Sequence, residues 1–209
     1  MFQDEFAAYV AQQIKALPSQ PHAPQFVAVS GRDCAGKSTL AIDVQEQLNR
    51  LGLTTTLLSI DTFLIPHLLR TPNASEFIAY FENTFDYAAL VQTLESVRNS
   101  ASLVDSNRRN IVLVEGVFLL RKELYHWWDF TVWIEVDTSV IMKRALRRDK
   151  QYFGSKSAVR GIYENRCLPA QDYHILRDLP KKNADITATF ENRLWIVPKR
   201  KMSSEIDAK

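Results

Sequence analysis

The positions of the apolar residues along the chain predict strands and helices in alternation. Five short runs rich in β-branched and other apolar residues have the length of buried strands, at positions 26–30, 54–60, 111–114, 130–136 and 186–190. Five other segments are predicted helices, at positions 6–17, 39–50, 85–97, 138–149 and 157–173. Strands that alternate with helices are typical of βαβ units, so we expect a mostly parallel sheet with right-handed crossovers.

Single residues set the predicted ends of these helices. Gly52 is expected to end the helix at 39–50, because glycine readily adopts the left-handed conformation that follows a helix. Thr138 is the predicted N-cap of the helix at 138–149. Pro169 is predicted to break the helix at 157–173.

The composition is that of an ordinary globular protein. The chain has 209 residues, of which 46% are hydrophobic and 24% charged, and a formal net charge of +2 gives no reason to expect a nucleic-acid partner. Residues 1–15 lack the basic start and apolar centre of a secretory signal, and no apolar run is long enough to span a membrane. Two cysteines, Cys34 and Cys167, do not make a disulfide framework, which favours the cytoplasm. Without a linker or a repeat, we expect one domain over residues 1–209.

One motif carries a specific chemistry. The string Gly31, Arg32, Asp33, Cys34, Ala35, Gly36, Lys37, Ser38 matches the phosphate-loop pattern G-x-x-x-x-G-K-[ST] in full, and Thr39 follows it. The glycines let successive N–H groups point at phosphate oxygens, and the helix that follows adds its positive end. Lys37 can reach the β- and γ-phosphates, and the Ser38 hydroxyl can bind Mg²⁺. Because the motif lies between a predicted strand and a predicted helix, we expect this segment to bind ATP with Mg²⁺.

Two carboxylates follow predicted strands. Asp61 comes after the second strand and Glu115 after the third, so both are expected at the sheet edge that carries the phosphate loop. One carboxylate can hold Mg²⁺, and the other can accept a proton from an attacking hydroxyl. The alternative is that each acid only caps the turn after its strand.

Arginines are concentrated in the predicted helix at 138–149. Arg144 and Arg148 are four residues apart and therefore share one face, from which they could neutralise charge on a transferred phosphoryl group. Gly154 and Gly161 enclose a polar stretch suited to a moving lid, at about residues 150–175. The alternative is an exposed basic helix face. Cys34 is either a thiol activated by the N–H groups of the loop or a small residue that fills space.

These motifs together resemble the uridine kinase and phosphoribulokinase family of P-loop small-molecule kinases. The resemblance covers about residues 27–186, and beyond the phosphate loop it rests on Ser59-Ile60-Asp61-Thr62-Phe63, Val114-Glu115-Gly116, Arg144-x-x-x-Arg148-Asp149, Tyr163-Glu164-Asn165-Arg166-Cys167-Leu168-Pro169 and Asn183-Ala184-Asp185-Ile186. It implies a three-layer α/β/α fold of the P-loop NTPase type, with a five-stranded, mostly parallel sheet and a helical lid.

The resemblance also implies roles for single residues. Asp61 would be the catalytic base, Ser38 and Glu115 the Mg²⁺ ligands, and Arg144 and Arg148 the lid arginines. The chain departs from uridine kinases at 80–87, which contain neither the His nor the Pro of the family's Asp-His-Pro segment, and at 172–183, which is longer.

The sequence therefore predicts an ATP-dependent kinase that phosphorylates a hydroxyl of a small metabolite. Uridine or a related nucleoside is the leading acceptor, and pantothenate, nicotinamide riboside or a sugar are the alternatives. An ATP-binding regulatory protein without kinase activity is a further alternative, which the presence of Asp61 disfavours. The sequence leaves a homo-oligomer open.

Overall fold

Strands and helices alternate along the chain as the apolar pattern predicts. The computed structural model describes residues 1–20, 23–66, 76–100 and 109–198. The strands are β1 (Gln25–Gly31), β2 (Thr54–Ser59), β3 (Asn110–Gly116), β4 (Phe130–Val136), β5 (Ile186–Glu191) and β6 (Leu194–Ile196). The helices are α1 (Gln3–Lys15), α2 (Lys37–Arg50), α3 (Glu76–Asn83), α4 (Tyr87–Ser100), α5 (Thr138–Arg148), α6 (Lys150–Phe153), α7 (Lys156–Ile162), α8 (Leu168–Asp178) and α9 (Pro180–Asn183). The described residues also include 3₁₀ turns at Ile60–Phe63 and Lys122–Trp127 and a π-helical segment at Tyr163–Cys167.

The strands form one sheet in the order β2-β3-β1-β4-β5-β6. β1 to β5 are parallel, which confirms the predicted mostly parallel sheet. The expected number of five strands was wrong, because β6 adds to the edge and pairs antiparallel with β5. Asn192 and Arg193, both at positive φ, form the two-residue turn between these strands, a geometry that suits a tight hairpin. β6 has only three residues, too few for a pattern to stand out.

Helices cover both faces of the sheet, which makes three layers. Alternate residues of β1 show the division: Val27 and Val29 belong to a core with α1, α2 and α5, whereas Phe26 and Ala28 belong to a core with α3, α4 and the turn after β3. Burial on both faces is the reason that the central strands β1, β3 and β4 are largely apolar in sequence, whereas β2 at the sheet edge is partly exposed and begins with three threonines.

Two predicted helix features were wrong. The cap of α5 is Asp137, whose carboxylate accepts a hydrogen bond from the Ser139 N–H at 2.7 Å, and Thr138 is already the first helical residue. Pro169 does not break a helix, because helical backbone continues through the π-helical segment into α8. Proline is tolerated in the first turn of a helix, where its missing N–H would have no partner.

The strand order brings the motifs together. In the sheet, β1 lies between β3 and β4. The strands β2 and β3 lie on one side of β1 and the strands β4 and β5 on the other, so the direction in which the chain adds strands changes at β1. In open α/β sheets, ligands bind at such a point, outside the carboxyl ends of the strands. At this edge Gly31 packs tightly against β4, since a Cβ atom there would lie 2.5 Å from the Ile134 carbonyl oxygen.

Candidate active site

The phosphate loop connects the end of β1 to the start of α2. Cys34 and Gly36 both have positive φ, at 56° and 107°, which curls the backbone between the two elements. The Ala35 N–H donates to the Arg32 carbonyl at 3.2 Å. The Lys37 ammonium donates to the same carbonyl at 2.9 Å, so the side chain bends back along the loop, and the residue is only 8% exposed. The Lys37 ammonium is therefore held beside the backbone N–H groups that would donate hydrogen bonds to a polyphosphate.

Ser38 and Glu115 meet across the loop. The Ser38 hydroxyl, in the first turn of α2, donates to Glu115 Oε2 at 3.0 Å, and Glu115 stands at the end of β3. The pair offers two hard oxygen ligands, the donor type that Mg²⁺ prefers. No group of three or more potential metal ligands from His, Cys, Asp or Glu exists in the described parts of the chain. Mg²⁺ commonly needs only one or two protein ligands beside substrate phosphates, so the residues present fit this ion.

Asp61 lies in the 3₁₀ turn that follows β2, the neighbour of β3. The Ser59 hydroxyl accepts a hydrogen bond from the Asp61 N–H at 3.3 Å and fixes the start of the turn. Although the residue is exposed, desolvation of the carboxylate raises its pKa above the ordinary value, and the negative charge of Glu115 raises it further. Lys37 acts in the opposite direction. The charges of Glu115 and Lys37 therefore both act on the Asp61 carboxylate, and a raised pKa suits a group that must accept a proton.

The two predicted lid arginines have different surroundings. Arg144 donates to the carbonyl oxygens of Cys34 at 3.0 Å and Ala35 at 2.9 Å, so it holds the outer side of the phosphate loop. Arg148 is bound to the buried carboxylate of Asp149, with Nε–Oδ1 at 2.5 Å and Nη2–Oδ2 at 3.1 Å. This pairing raises the pKa of the Arg148 guanidinium, which therefore stays charged.

Tyr163 connects this arginine to the loop. Its hydroxyl donates to Asp149 at 2.7 Å and lies 3.4 Å from both Arg148 Nη2 and the Cys34 thiol. Burial raises the pKa of Cys34, so the alternative of an activated thiol in the loop is not supported and Cys34 is a packing residue. Tyr163 appears in the family motif, but nothing in the sequence pairs it with Asp149, fourteen positions before it.

A cavity of about 1030 Å³ opens beside the phosphate loop. Its lining combines the loop, the arginine-bearing face of α5 and the β5–β6 hairpin; the lining residues are Gln3, Cys34, Ala35, Gly36, Lys37, Ser38, Thr39, Val140, Lys143, Arg144, Arg147, Arg148, Phe190, Arg193 and Trp195. The volume lies at the upper end of the range typical of sites for small molecules and cofactors. Sequence reasoning missed the contribution of the hairpin, because β6 has only three residues and the run at 194–197 after the turn is continuously apolar rather than alternating.

Comparison with known proteins gives one relative by sequence and several by structure. The uridine-cytidine kinase A of Dictyostelium discoideum is 27% identical over an alignment of 181 positions that covers 78% of this chain and 35% of that protein, so the chain spans about a third of the length of this curated relative. No family model matches the chain.

Three solved structures are similar in fold. A possible uridine kinase from Bacillus stearothermophilus superposes with a TM-score of 0.65 at 20% identity, over 87% of this chain and 96% of that one. A provisionally named fructose transport system kinase from a Silicibacter species gives 0.70 at 20% identity, over 87% and 98%. The D-glycerate 3-kinase of Cryptococcus neoformans gives 0.61 at 14% identity, over 90% and 92%.

The fold and the phosphate loop are those of the P-loop NTPase class, and the similar solved structures share this fold. The sequence relative supports a uridine kinase and phosphoribulokinase-like family, which confirms the resemblance seen in the sequence motifs. In the described ranges, no helix is long and apolar enough to cross a membrane.

Proposed function

We propose that the chain is an ATP-dependent kinase that transfers the γ-phosphoryl group to a hydroxyl of a small metabolite. The observation that carries this proposal is the grouping of Lys37, the Ser38–Glu115 oxygen pair and Asp61 at the carboxyl ends of three neighbouring strands. Phosphoryl transfer needs a phosphate cradle, a metal-binding acid and a residue that orients or deprotonates the attacking group. A protein that only binds ATP would not need the last of these.

Each residue has a defined task in the proposed reaction. The loop N–H groups and Lys37 would hold the β- and γ-phosphates, and Ser38 and Glu115 would hold Mg²⁺. When bound, this ion supplies neutralisation of charge on the phosphate oxygens. Asp61 would accept the proton of the acceptor hydroxyl while the oxygen of that hydroxyl forms a bond to the γ-phosphorus. The bond between the γ-phosphorus and the oxygen that bridges it to the β-phosphate breaks at the same time, and ADP leaves.

The lid residues complete the proposed mechanism. Arg148 is held by Asp149 and Tyr163, so its guanidinium is already ordered and its rotamer entropy is partly lost before a nucleotide binds. It would lie over the phosphates when the segment at about 150–175 closes. Arg144 binds carbonyl oxygens of the loop, which supports a role in shaping the cradle in addition to the predicted contact with the transferred group.

The proposed acceptor is a nucleoside, with uridine as the first candidate because the sequence relative is named as a uridine-cytidine kinase. The alternatives are nicotinamide riboside, pantothenate and a sugar. Segment 80–87 has neither His nor Pro, so the base contacts of uridine kinases cannot be made by the same residue types, and we expect uridine to be a weak acceptor.

The test measures ADP formation from MgATP with each acceptor in turn. We expect ADP only when an acceptor is present, and a loss of this activity in Lys37→Ala. Calorimetric titration with MgATP should show that the wild type binds the nucleotide and that the folded variant does not bind it tightly. Binding of ATP without ADP formation across the acceptor panel would favour the regulatory alternative and contradict the proposal.

A further inference from the structure

Asp33, the third residue of the phosphate loop, has a side chain that the loop motif does not explain. Its carboxylate is directed toward α3 and α8, where Oδ2 accepts hydrogen bonds from the Gln171 amide at 2.7 Å and from the Tyr80 hydroxyl at 3.2 Å. The Gln171 carbonyl in turn accepts from the Asp33 N–H at 3.3 Å. One residue of the loop is therefore tied to both helices that stand beside it.

The partners of Asp33 are themselves fixed. Gln171 is 2% exposed and lies on the buried face of α8. The Tyr80 ring packs edge-on against Phe118 at 5.8 Å, in the turn directly after the Glu115 strand. Burial and the Asp33 charge raise the phenol pKa of Tyr80 well above its ordinary value, so Tyr80 is the donor in this contact and Asp33 the acceptor. The interactions of Asp33 thus connect the loop to the helices on the side of the sheet where Asp61 stands.

Two arginines near Asp33 are matched by acids. Arg32 pairs with Asp172 at 2.5 Å, and Arg166 faces Glu76 at 3.7 Å. By contrast, Asp33 Oδ1 accepts no hydrogen bond from the described residues, and no arginine or lysine among them forms a salt bridge with Asp33. The charge of Asp33 reaches Asp61, the proposed base, with the same sign as that of Glu115. Among the described residues, Glu115 and Asp33 therefore add negative charge at Asp61, whereas Lys37 and Arg148, on the side where phosphate would bind, add positive charge.

We propose, on the basis of the kinase function above, that Asp33 positions the phosphate loop against α3 and α8, which would flank the acceptor, and selects acceptors that are polyhydroxylated and carry no negative charge. Oδ1, to which no described residue donates, can accept a hydrogen bond from a second hydroxyl of such a compound. A carboxylate or phosphate in the same place would meet two like charges, and like-charge contacts in a partly buried site are a strong means of rejection. Among the candidate acceptors, this favours nucleosides and sugars over pantothenate.

The experiment compares acceptors in matched pairs that differ only by a carboxylate in place of a hydroxymethyl group: glycerol with glycerate, glucitol with gluconate, and panthenol with pantothenate. ADP formation gives kcat/KM for each compound with saturating MgATP. For every pair that is turned over, we expect the wild type to prefer the uncharged member by about tenfold or more. In Asp33→Asn, which removes the charge but keeps an oxygen that can accept from Gln171, this preference should fall by about tenfold.

Two further variants separate specificity from structure. Gln171→Leu removes the contact with the loop without changing charge, so it should lower kcat/KM for both members of a pair by the same factor. Glu46→Gln removes one charge from the exposed part of α2, where Glu46 pairs with Arg50, and should leave the ratio within each pair unchanged. Thermal unfolding confirms that each variant is folded.

The outcomes distinguish this inference from the kinase proposal. Turnover with preference for the acidic members, or an unchanged ratio in Asp33→Asn, would overturn the role of Asp33 while leaving a kinase. A wild-type protein that binds MgATP and forms no ADP with any compound of the pairs or of the nucleoside panel would overturn both.

Discussion

At the scale of single residues, the proposed chemistry depends on the short distance between the Ser38 and Glu115 oxygens and on the charges that act on Asp61. Ser38 and Glu115 are 77 positions apart in the chain, and their oxygens are 3.0 Å apart in the fold. The sequence could predict both residues because a phosphate loop and strand-end acids have fixed places in an α/β sheet. It could not predict that Asp33 binds Gln171, since 138 positions separate them and no motif requires either side chain.

The role of Asp61 can be tested by Asp61→Asn, which keeps the shape of the side chain and removes its ability to take a proton. We expect the affinity for MgATP to stay nearly unchanged, because the loop and the start of α2 are untouched. The chemical step should slow by about 10²–10⁴-fold, the usual contribution of a positioned base. Single-turnover kinetics at saturating Mg²⁺ measure this step.

The matched control is Asp4→Asn, which changes an exposed acid in the first turn of α1 that has no part in the proposed site. It should keep the wild-type rate. A wild-type rate in Asp61→Asn on a verified acceptor would make Asp61 a turn residue and remove the central step of the mechanism.

The predicted magnesium pair is tested by Glu115→Gln. Because the amide lacks the negative charge that attracts the cation, the Mg²⁺ concentration for half-maximal turnover should rise by about tenfold or more. Glu135→Gln serves as the control. Glu135 lies in β4, which is separated from β3 by β1, and it pairs with Lys181 at 2.9 Å and is not a proposed ligand. An unchanged Mg²⁺ dependence in Glu115→Gln would show that this residue only closes the end of its strand.

At the scale of elements, the parallel strands were easier to predict than the short edge strand and the helix caps. All five parallel strands were indicated by runs of apolar or β-branched residues. The central strands β1 and β4 are buried on both faces and have few polar positions, whereas β2 is partly exposed and was indicated by its threonines and leucines. β6 escaped notice because three residues at the sheet edge carry little pattern. The cap of α5 was misplaced by one residue, since Asp137 and Thr138 are both good N-cap types and only the geometry decides between them.

One contact between two elements holds the turn that carries Asp61, the candidate base. Gly116 ends β3 where the 3₁₀ turn with Asp61 crosses it, and a Cβ atom at this position would lie 2.1 Å from Ile60 Cγ2. Gly116→Ala should therefore force the turn away from the strand, with a loss of about 1–3 kcal/mol in the free energy of unfolding. Turnover should fall as well, because Ile60 and Asp61 move together.

Gly161→Ala is the natural comparison for this prediction. Gly161 lies within α7, and nothing stands within 4 Å of the place that its Cβ would occupy. Because alanine favours helix, this change should leave stability equal or raise it by about 0.5–1 kcal/mol. Urea unfolding measures both variants, and equal stability of Gly116→Ala and wild type would contradict the close contact at Ile60.

At the scale of the whole molecule, the two cores on either side of the sheet have different characters. The core with α1, α2 and α5 is largely aliphatic, whereas the core with α3, α4 and α8 also holds buried polar groups. His174 is 1% exposed among Phe81, Phe118 and Trp133. This burial could not be predicted from the sequence, because a single histidine in a helical segment has no recognisable partner until the fold is known.

The buried histidine makes the stability of the whole fold depend on pH. Burial lowers the pKa of His174 below its ordinary value of 6.5, and the charges of Arg121 and Arg177 lower it further, while Asp178, whose Oδ2 lies 2.8 Å from His174 Nδ1, opposes the shift. Below pH 6.5 the unfolded chain therefore binds a proton that the folded chain does not, so the free energy of unfolding falls as the pH decreases, by at most about 1.4 kcal/mol per pH unit from this group.

Urea unfolding at several pH values between about 7.5 and 5, the range in which histidine titrates, measures this slope. The slope should be smaller in His174→Gln, because glutamine takes up no proton. His126→Gln, at an exposed position, should keep the wild-type slope. Equal slopes in His174→Gln and wild type would mean that His174 stays protonated in the fold, held by Asp178 against the cost of burial.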